Sequence, residues 1–235
     1  SSFIASATFV FLPAPMLFIL PDREEAAYFL NDMENLNPGK KVFFFPSSYR
    51  KPFKLNAHEN ASIQMRTEVL SHITKHSQSF IVVSYAEAVA ENVVTRHALE
   101  KNTIEARVGE HLSIDFVNDF LTENNFHRTD FVFEPGQFAI RGGIVDVYSY
   151  AYELPFRIEF DGNKIESIRS FDPVTQLSEK NLHFVTVIPN IQTEMQQNVT
   201  ESFFKFLPEN TLIWTRDLSY SLSYLDENLT VLKNQ

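Results

Sequence analysis

Three short apolar segments, separated by amphipathic stretches, constrain the fold of this chain more than any other feature. They lie at residues 16–20, 42–45 and 80–83, and each is apolar at every position. Strands that are apolar on both faces are typical of parallel sheets whose two faces are covered by helices. Residues 1–101 are therefore predicted to form half of an α/β sheet.

The stretches between the apolar segments have the spacing of helices. Asp22 stands three residues before Glu25, which is the pattern of a capped helix N-terminus. Apolar side chains then recur at helical spacing, at Ala26, Leu30 and Met33 in this helix and at Ile63, Leu70 and Ile73 in the next. Residues 86–97 are predicted to form a further helix, and residues 46–60 a polar loop.

The second part of the chain has a different character. From residue 102 onward, strand-like segments surround one amphipathic helix that follows Ser113, which indicates a separate α+β domain. Residues 156–161 alternate between apolar and charged side chains and lead into an Asp161-Gly162 turn, so they are predicted to form a hairpin strand. Residues 189–235 begin with a polar loop and start a short unit that ends abruptly, which favours a piece of a longer protein.

The charge balance opposes a nucleic-acid-binding function for the chain alone. Thirty acidic and 20 basic residues give a net charge of −10, whereas non-specific affinity for a phosphate backbone depends on Lys and Arg. The chain has no Cys, which excludes disulfides, thiolate zinc sites and cysteine nucleophiles, and favours a cytoplasmic location. Pro13 and Pro15 interrupt the apolar opening, so it is predicted to be globular and not a signal peptide or a membrane span.

No motif predicts catalysis or metal binding. The sequence has no nucleophile elbow, H-E-x-x-H helix, G-x-G-x-x-G turn or intact phosphate loop. His58, His72 and His76 lack a carboxylate in the usual order, so an ordinary solvated helix is favoured over a metal site. Helix capping and surface charge explain carboxylate pairs such as Asp115 and Asp119. We therefore predict no catalytic residue, no metal and no cofactor.

Residues 127–176 carry the most specific motifs of the chain. These are Asp130-Phe131-Val132, Glu134-Pro135-Gly136-Gln137-Phe138, Arg141-Gly142-Gly143-Ile144-Val145-Asp146, Arg157-Ile158-Glu159-Phe160 and Ile165-Glu166-Ser167-Ile168-Arg169-Ser170-Phe171-Asp172. In order and spacing they resemble the segment shared by the bacterial nucleotide-excision repair protein UvrB and the N-terminal region of the transcription-repair coupling factor. Residues 59–63, 107–110 and 206–212 extend the resemblance more weakly, and residues 134–138 look more like the coupling factor.

The resemblance implies a particular arrangement of domains. It predicts an α/β domain with a parallel sheet and a degenerate P-loop, of the RecA and helicase type, with an inserted α+β domain that binds UvrA. Residues 1–101 would correspond to UvrB domain 1a and residues 102–188 to domain 2. Residues 189–235 would be a partial domain 1b that returns to the first domain.

Two departures from UvrB bear on the activity that the resemblance implies. Ser1, Ser2, Phe3 and Ile4 align with the end of the ATP-binding loop of UvrB. Phe3 replaces the Lys that contacts phosphate and Ile4 replaces the Thr that binds Mg²⁺, so neither ligand is expected to bind. The tyrosine-rich hairpin that UvrB inserts into DNA looks missing from residues 46–59, where Tyr49 and Phe53 are the aromatic residues.

The resemblance therefore implies a protein-interaction module without ATPase activity of its own. In this interpretation the chain recruits UvrA to stalled RNA polymerase, while translocation and contacts with DNA and RNA polymerase belong to regions outside the chain. Two alternatives stay open. One is a DNA-binding fragment of a helicase-like repair enzyme, and the other is an autoinhibitory clamp whose UvrA-binding face docks onto later domains of the same protein.

Arg141 and Arg157 are the first candidates for contact with UvrA. Strand alternation places each opposite its apolar neighbours, so both are predicted to be exposed on one face of a sheet. The resemblance implies that arginines at these positions contact UvrA, together with an apolar residue where this chain has Asp161. Two explanations stay open: either the partner surface differs at this point, or Phe160 or the adjacent turn shifts to compensate. The predicted UvrA-binding residues are Arg141, Arg157, Phe160 and Asp161. Alternatively, the two arginines pair with Glu159 and Asp146 within the sheet.

Overall fold

The chain divides into two compact units. A computed structural model describes residues 2–48, 57–75, 79–191, 200–223 and 226, with only the backbone of residues 57–60. The first unit comprises Ser1–Thr95 and Val199–Gln235, and the second comprises Arg96–Asn198. Tyr49 and Phe53 lie outside the described residues. The assignment of the three sequence segments to particular family domains stays a prediction.

The first unit is built on a parallel sheet covered by helices. With strands numbered along the whole chain, it contains β1 (Met16–Leu20), β2 (Val42–Phe45), β3 (Ile81–Tyr85), β4 (Asn92–Val94), β13 (Thr200–Ser202) and β14 (Leu212–Thr215). Its helices are α1 (Ser2–Phe11), α2 (Arg23–Leu36), α3 (Ala57–Lys75) and α4 (Ala86–Ala90), with a 3₁₀ turn at Phe203–Lys205. One four-stranded sheet has the order β14-β1-β3-β2 with every adjacent pair parallel. The predicted parallel sheet is confirmed.

Local sequence signals account for the helices that cover this sheet. The Asp22 side chain caps α2, as predicted, by accepting a hydrogen bond from the Glu25 amide at 2.9 Å. Buried positions of the predicted apolar faces are Ala26 and Met33 in α2, and Ile63, Leu70 and Ile73 in α3. Among the described residues, no helix is both long enough and apolar enough to cross a membrane.

The prediction of a single helix over residues 86–97 is wrong. The chain leaves the helical conformation at Glu91 after α4, forms β4 and then begins a separate helix, α5 (Arg96–Lys101). The strand β4 pairs antiparallel with β13. Thr200 of β13 lies 108 residues after Asn92 of β4, so the local pattern could not indicate this pairing.

The second unit contains a six-stranded sheet. Its strands are β6 (His127–Arg128), β7 (Gln137–Arg141), β8 (Ile144–Val147), β9 (Phe156–Asp161), β10 (Lys164–Phe171) and β11 (Ser178–Leu182). Their order is β11-β10-β9-β8-β7-β6, and every adjacent pair is antiparallel except β6 and β7. A separate pair consists of β5 (Ile104–Arg107) and β12 (Phe184–Val187), and α6 (Ile114–Glu123) is the predicted amphipathic helix. The predicted hairpin at Asp161-Gly162 is confirmed, since it joins β9 to β10.

The two faces of the six-stranded sheet have different surroundings. On the inner face, apolar side chains of β7 to β10 form a core with Val117 and Leu121 of α6 and with side chains of β5 and β12. On the outer face there is a smaller apolar cluster, whose members are Val132, Ala139, Tyr148 and Phe171. The charged side chains of the candidate site lie on the same outer face.

A close approach between the β7–β8 turn and strand β9 requires glycine at position 143. Gly143 lies in the turn between β7 and β8, and its carbonyl oxygen accepts a hydrogen bond from the Phe160 amide at 2.8 Å. A β-carbon at this position would lie 2.8 Å from the Phe160 carbonyl oxygen, which is closer than real β-carbons approach. Because the opposing atom belongs to the backbone, the turn that follows Arg141 depends on this glycine.

Gly143→Ala is expected to destabilise the second unit by about 2 kcal/mol, because the added methyl group forces the turn away from β9. Urea unfolding followed by circular dichroism measures the change. Gly162→Asn is the matched control, since Gly162 has φ +58° and faces open space, and Asn tolerates this conformation. If Gly143→Ala unfolds at the same urea concentration as the unsubstituted protein, the close approach does not constrain the turn.

Candidate protein-interaction site

The outer face of the six-stranded sheet brings five charged side chains into adjacent positions. They are Arg141 on β7, Asp146 on β8, Arg157 and Glu159 on β9, and Arg169 on β10. We call this set the arginine face. Strand register fixes the arrangement, because Arg157 is directly opposite Asp146 on one side and Arg169 on the other.

A single buried carboxylate organises the arginine face. The Asp146 side chain is 0% exposed. Arg157 Nε and Nη2 donate to Asp146 Oδ1 and Oδ2 at 2.7 and 2.9 Å, and Arg141 Nη2 donates to Oδ2 from the strand on the other side. The hydrogen bonds to Asp146 raise the pKa of Arg157 above its ordinary value, so Arg157 is charged throughout the physiological pH range. Two guanidinium groups on one carboxylate leave one positive charge that Asp146 does not compensate.

Aromatic rings and a backbone carbonyl hold the two guanidinium groups in place. Arg157 lies 4.8 Å from the centre of the Phe171 ring, and Arg141 lies 5.5 Å from the centre of the Phe131 ring. Arg141 Nη1 also donates to the Asp130 carbonyl oxygen at 2.6 Å. Both arginines are therefore oriented before a partner arrives, which reduces the entropy that is lost on binding.

The two carboxylates considered from the sequence have separate roles. Asp146 accepts the hydrogen bonds of Arg141 and Arg157, so pairing within the sheet occurs at this residue. Glu159 instead forms an ion pair with Arg169, and its other oxygen accepts a hydrogen bond from Ser167 Oγ at 2.6 Å. The Glu159–Arg169 pair borders the arginines without adding net charge.

The two arginines differ in exposure. The Arg141 side chain is 41% exposed, whereas that of Arg157 is 18% exposed. The expectation that both are well exposed is therefore wrong for Arg157, which is mostly covered where it lies against Phe171 and Asp146. Alternation assigns a residue to a face, but neighbours on that face determine how much of the side chain water reaches.

Phe160 and Asp161 lie on opposite faces of β9. Phe160 is 8% exposed and belongs to the inner core, so its ring is covered from a partner on the arginine face, contrary to its inclusion among the predicted contacts. Asp161 is exposed at the end of β9, just before the turn at Gly162. A carboxylate therefore occupies the accessible position at this end of the strand.

An open cleft borders Arg141 at the edge of the sheet. Its volume is about 550 Å³, and its lining residues are Arg128, Thr129, Asp130, Phe131, Ile140 and Arg141. Asp130 and Phe131 belong to a motif that carries the resemblance, but their spacing does not indicate that the loop folds back onto Arg141. These contacts are the part of the site that sequence reasoning missed.

The residues predicted to form a degenerate nucleotide loop lie at the start of α1. Ser1 lies outside the described residues, and Ser2, Phe3 and Ile4 form the first turn of the helix. The Ser2 hydroxyl donates to Asp32 Oδ2 at 2.8 Å, and the Phe3 and Ile4 side chains are exposed. Phe3 has no charge to offer phosphate and Ile4 has no hydroxyl for Mg²⁺.

His72 has an aromatic environment. The centre of its ring lies 4.4 Å from that of Phe43 and 5.7 Å from that of Phe80. His58 and His76 fall outside the residues whose side chains are described. Within the described part of the chain, no group of three or more His, Asp or Glu side chains is placed to hold a metal ion.

Comparison with known proteins gives the family context of this geometry. Residues 104–192, which include the whole arginine face, match the family model described as the UvrB interaction domain. The chain is 26% identical to the transcription-repair-coupling factor of Bacillus subtilis over 175 residues, covering 74% of this chain and 15% of that protein. For the transcription-repair-coupling factor of Rickettsia bellii, the identity is 25% over 191 residues, which cover 80% of this chain and 17% of that protein. For the UvrABC system protein B of Oleidesulfovibrio alaskensis, the identity is 25% over 173 residues, which cover 68% of this chain and 25% of that protein.

These comparisons confirm the resemblance read from the motifs. The matched domain begins at the first residue of β5 and ends shortly after β12, so it coincides with most of the second unit. The chain spans only 15% to 25% of the length of the relatives named above. The similarity therefore concerns one region of much longer proteins.

Asp146→Asn is expected to destabilise the second unit by about 2 to 3 kcal/mol. The reason is that Asp146 is buried and its negative charge compensates both arginines, so the substitution leaves their positive charges without a partner. Urea unfolding measures this change. Asp161→Asn removes the same charge from an exposed position and is expected to change the stability by less than about 0.5 kcal/mol. Equal stabilities of the two variants would show that the buried carboxylate does not organise the arginine face.

Proposed function

Because this chain contains a UvrB interaction domain and is a homologue of transcription-repair-coupling factors and of UvrB, we propose that it recruits UvrA to stalled RNA polymerase. The homology supports a role in DNA repair. The finer proposal is that the chain is the UvrA-binding module of a coupling factor in transcription-coupled nucleotide-excision repair. In that proposal its first unit is a degenerate P-loop domain and its second unit supplies the binding surface.

The uncompensated charge of the arginine face is the observation that carries this proposal. Arg141 and Arg157 share Asp146, so one positive charge is left for a carboxylate on the partner. Guanidinium groups that are already oriented suit bidentate pairing with such a carboxylate. The chain as a whole has a net charge of −10, which favours a local contact with an acidic protein surface over binding along a nucleic-acid backbone.

The residues of the proposed interface have different roles. Arg141 makes the direct contact, since it is the more exposed arginine and lines the adjacent cleft. Arg157 fixes Asp146 and offers the partner only its remaining exposed edge. Asp161 occupies the position that the resemblance assigns to an apolar contact, so the partner surface opposite it is expected to be polar. Phe160 supports this end of β9 from the inner core.

We further propose that the module has no ATPase activity. Phe3 and Ile4 replace the residues that would hold phosphate and Mg²⁺, and a UvrB interaction domain is a non-catalytic module. Contacts with RNA polymerase and DNA are assigned to regions outside this chain. An intramolecular contact between the arginine face and later domains would use the same surface, so it is compatible with UvrA recruitment at a different stage.

Substitution of the arginines tests the recruitment proposal. Arg141→Ala and Arg157→Ala are each expected to weaken binding to UvrA by about 5- to 30-fold, which corresponds to a loss of about 1 to 2 kcal/mol per arginine. Isothermal titration calorimetry measures the affinity, and circular dichroism verifies folding. Arg107→Ala is the matched control, because Arg107 is a half-exposed arginine paired with Glu105 on β5, a strand that packs on the inner side of the six-stranded sheet and not on its outer face.

The possible outcomes of this titration separate the hypotheses. Equal binding by all variants would place the site outside the arginine face. A lack of binding by the unsubstituted protein would overturn the recruitment proposal. In a parallel titration with DNA, an affinity that falls steeply with salt would favour the DNA-binding alternative instead.

The unsubstituted protein is expected to show no saturable binding of MgATP and no ATP hydrolysis above background, because Phe3 cannot supply the charge of the phosphate-loop lysine. Calorimetry with MgATP and a phosphate-release assay measure these two properties. A heat-denatured sample of the same preparation is the control. Hydrolysis that is absent from this control and rises with protein concentration would contradict the proposal.

A further inference from the structure

Two exposed phenylalanines border the arginine face. Phe131 and Phe133 lie in the loop between β6 and β7, and each is 53% exposed. Their ring centres are 6.4 Å apart, so the two rings form one continuous apolar surface. We call these two residues the aromatic pair.

The exposure of the aromatic pair follows from the way its loop is anchored. Val132 stands between the two phenylalanines and is fully buried in the outer cluster with Ala139 and Phe171. Because Val132 occupies the outer cluster, the two phenylalanines on either side of it are left exposed. The loop therefore buries one apolar side chain, Val132, and leaves two exposed to solvent.

Hydrogen bonds hold this loop in one conformation. They join Gln137 Oε1 to the amides of Phe133 and Glu134 at 2.9 and 3.2 Å, Gln176 Nε2 to the Val132 carbonyl at 3.2 Å, and Arg141 Nη1 to the Asp130 carbonyl at 2.6 Å. The loop that carries the aromatic pair is thus ordered before binding, so little conformational entropy is lost when a partner binds.

The aromatic pair and the arginine face form one surface. The Arg141 guanidinium lies over the Phe131 ring, so the apolar area and the uncompensated positive charge adjoin each other. Aromatic and arginine side chains held side by side have the composition of an interaction hot spot. By contrast, the end of β9 offers Asp161, a carboxylate, where an apolar contact is expected from the resemblance.

We infer that the aromatic pair is the apolar anchor of the same interface, and that it packs against an apolar patch on UvrA bordered by a carboxylate that pairs with Arg141. This inference rests on the proposed function, because it names the second half of the surface that binds UvrA. The apolar contact has moved from the β9 turn to the loop between β6 and β7, next to the arginine that carries the free charge.

Phe133→Ala is the sharpest test, because it leaves the contact between Arg141 and Phe131 in place. It is expected to weaken UvrA binding by about tenfold, mainly through faster dissociation. Phe131→Ala is expected to have at least the same effect, since it also removes the ring beneath Arg141. Phe133→Leu keeps most of the apolar area and is expected to bind more tightly than Phe133→Ala.

Phe116→Ala is the matched control. Phe116 is 54% exposed and lies on α6, which packs against the inner face of the sheet, so its removal is expected to leave UvrA binding unchanged. Surface plasmon resonance on folded variants gives the rate constants. If both variants of the aromatic pair bind like the unsubstituted protein while Arg141→Ala binds weakly, the inference is overturned and the proposed function stands. If the unsubstituted protein does not bind UvrA, the proposed function fails and this inference fails with it.

Discussion

The outer face of the second unit depends on the pairing of the buried Asp146 carboxylate with Arg141 and Arg157. A carboxylate without access to water is stable only when hydrogen-bonded cations compensate it, and Arg141 and Arg157 do so from the two neighbouring strands. This requirement favours one register of β7, β8 and β9. It also holds two guanidinium groups at one place, where repulsion between them would otherwise separate them. The sheet register and the positive surface therefore have the same cause.

Strand alternation predicts the two faces of this sheet, but it does not predict how exposed each side chain is. It correctly assigns Arg157 to the outer face. The coverage of the Arg157 side chain depends on Phe171 of β10. The register between β9 and β10 shifts between Ile165 and Ser167, which a pattern within one strand cannot reveal. Phe160 illustrates the opposite case, because alternation alone places it in the core and only the resemblance suggested a contact.

The same distinction between local and long-range information explains the rest of the fold. The Asp22 cap and the three apolar strands are set by neighbouring residues, and the sequence predicts them. The strand β4 depends on β13, far along the chain, so its local pattern predicts a helix instead. The loop between β6 and β7 has no periodic pattern, and its conformation depends on Val132 meeting side chains from three separate strands or strand ends. Such contacts arise only from the assembled sheet.

Charge and apolar surface contribute to recognition in different ways. Charge acts over a Debye length of about 8 Å and mainly raises the rate of association, while apolar contact acts only when surfaces touch and mainly slows dissociation. In a chain of net charge −10, the positive charge of the arginine face is local, so attraction of an acidic partner begins only at short range. Contact with the aromatic pair would then have to supply most of the lifetime of the complex. Since Arg141 contacts Asp146, the Asp130 carbonyl and the Phe131 ring, the buried carboxylate positions both the charged and the apolar part of this surface.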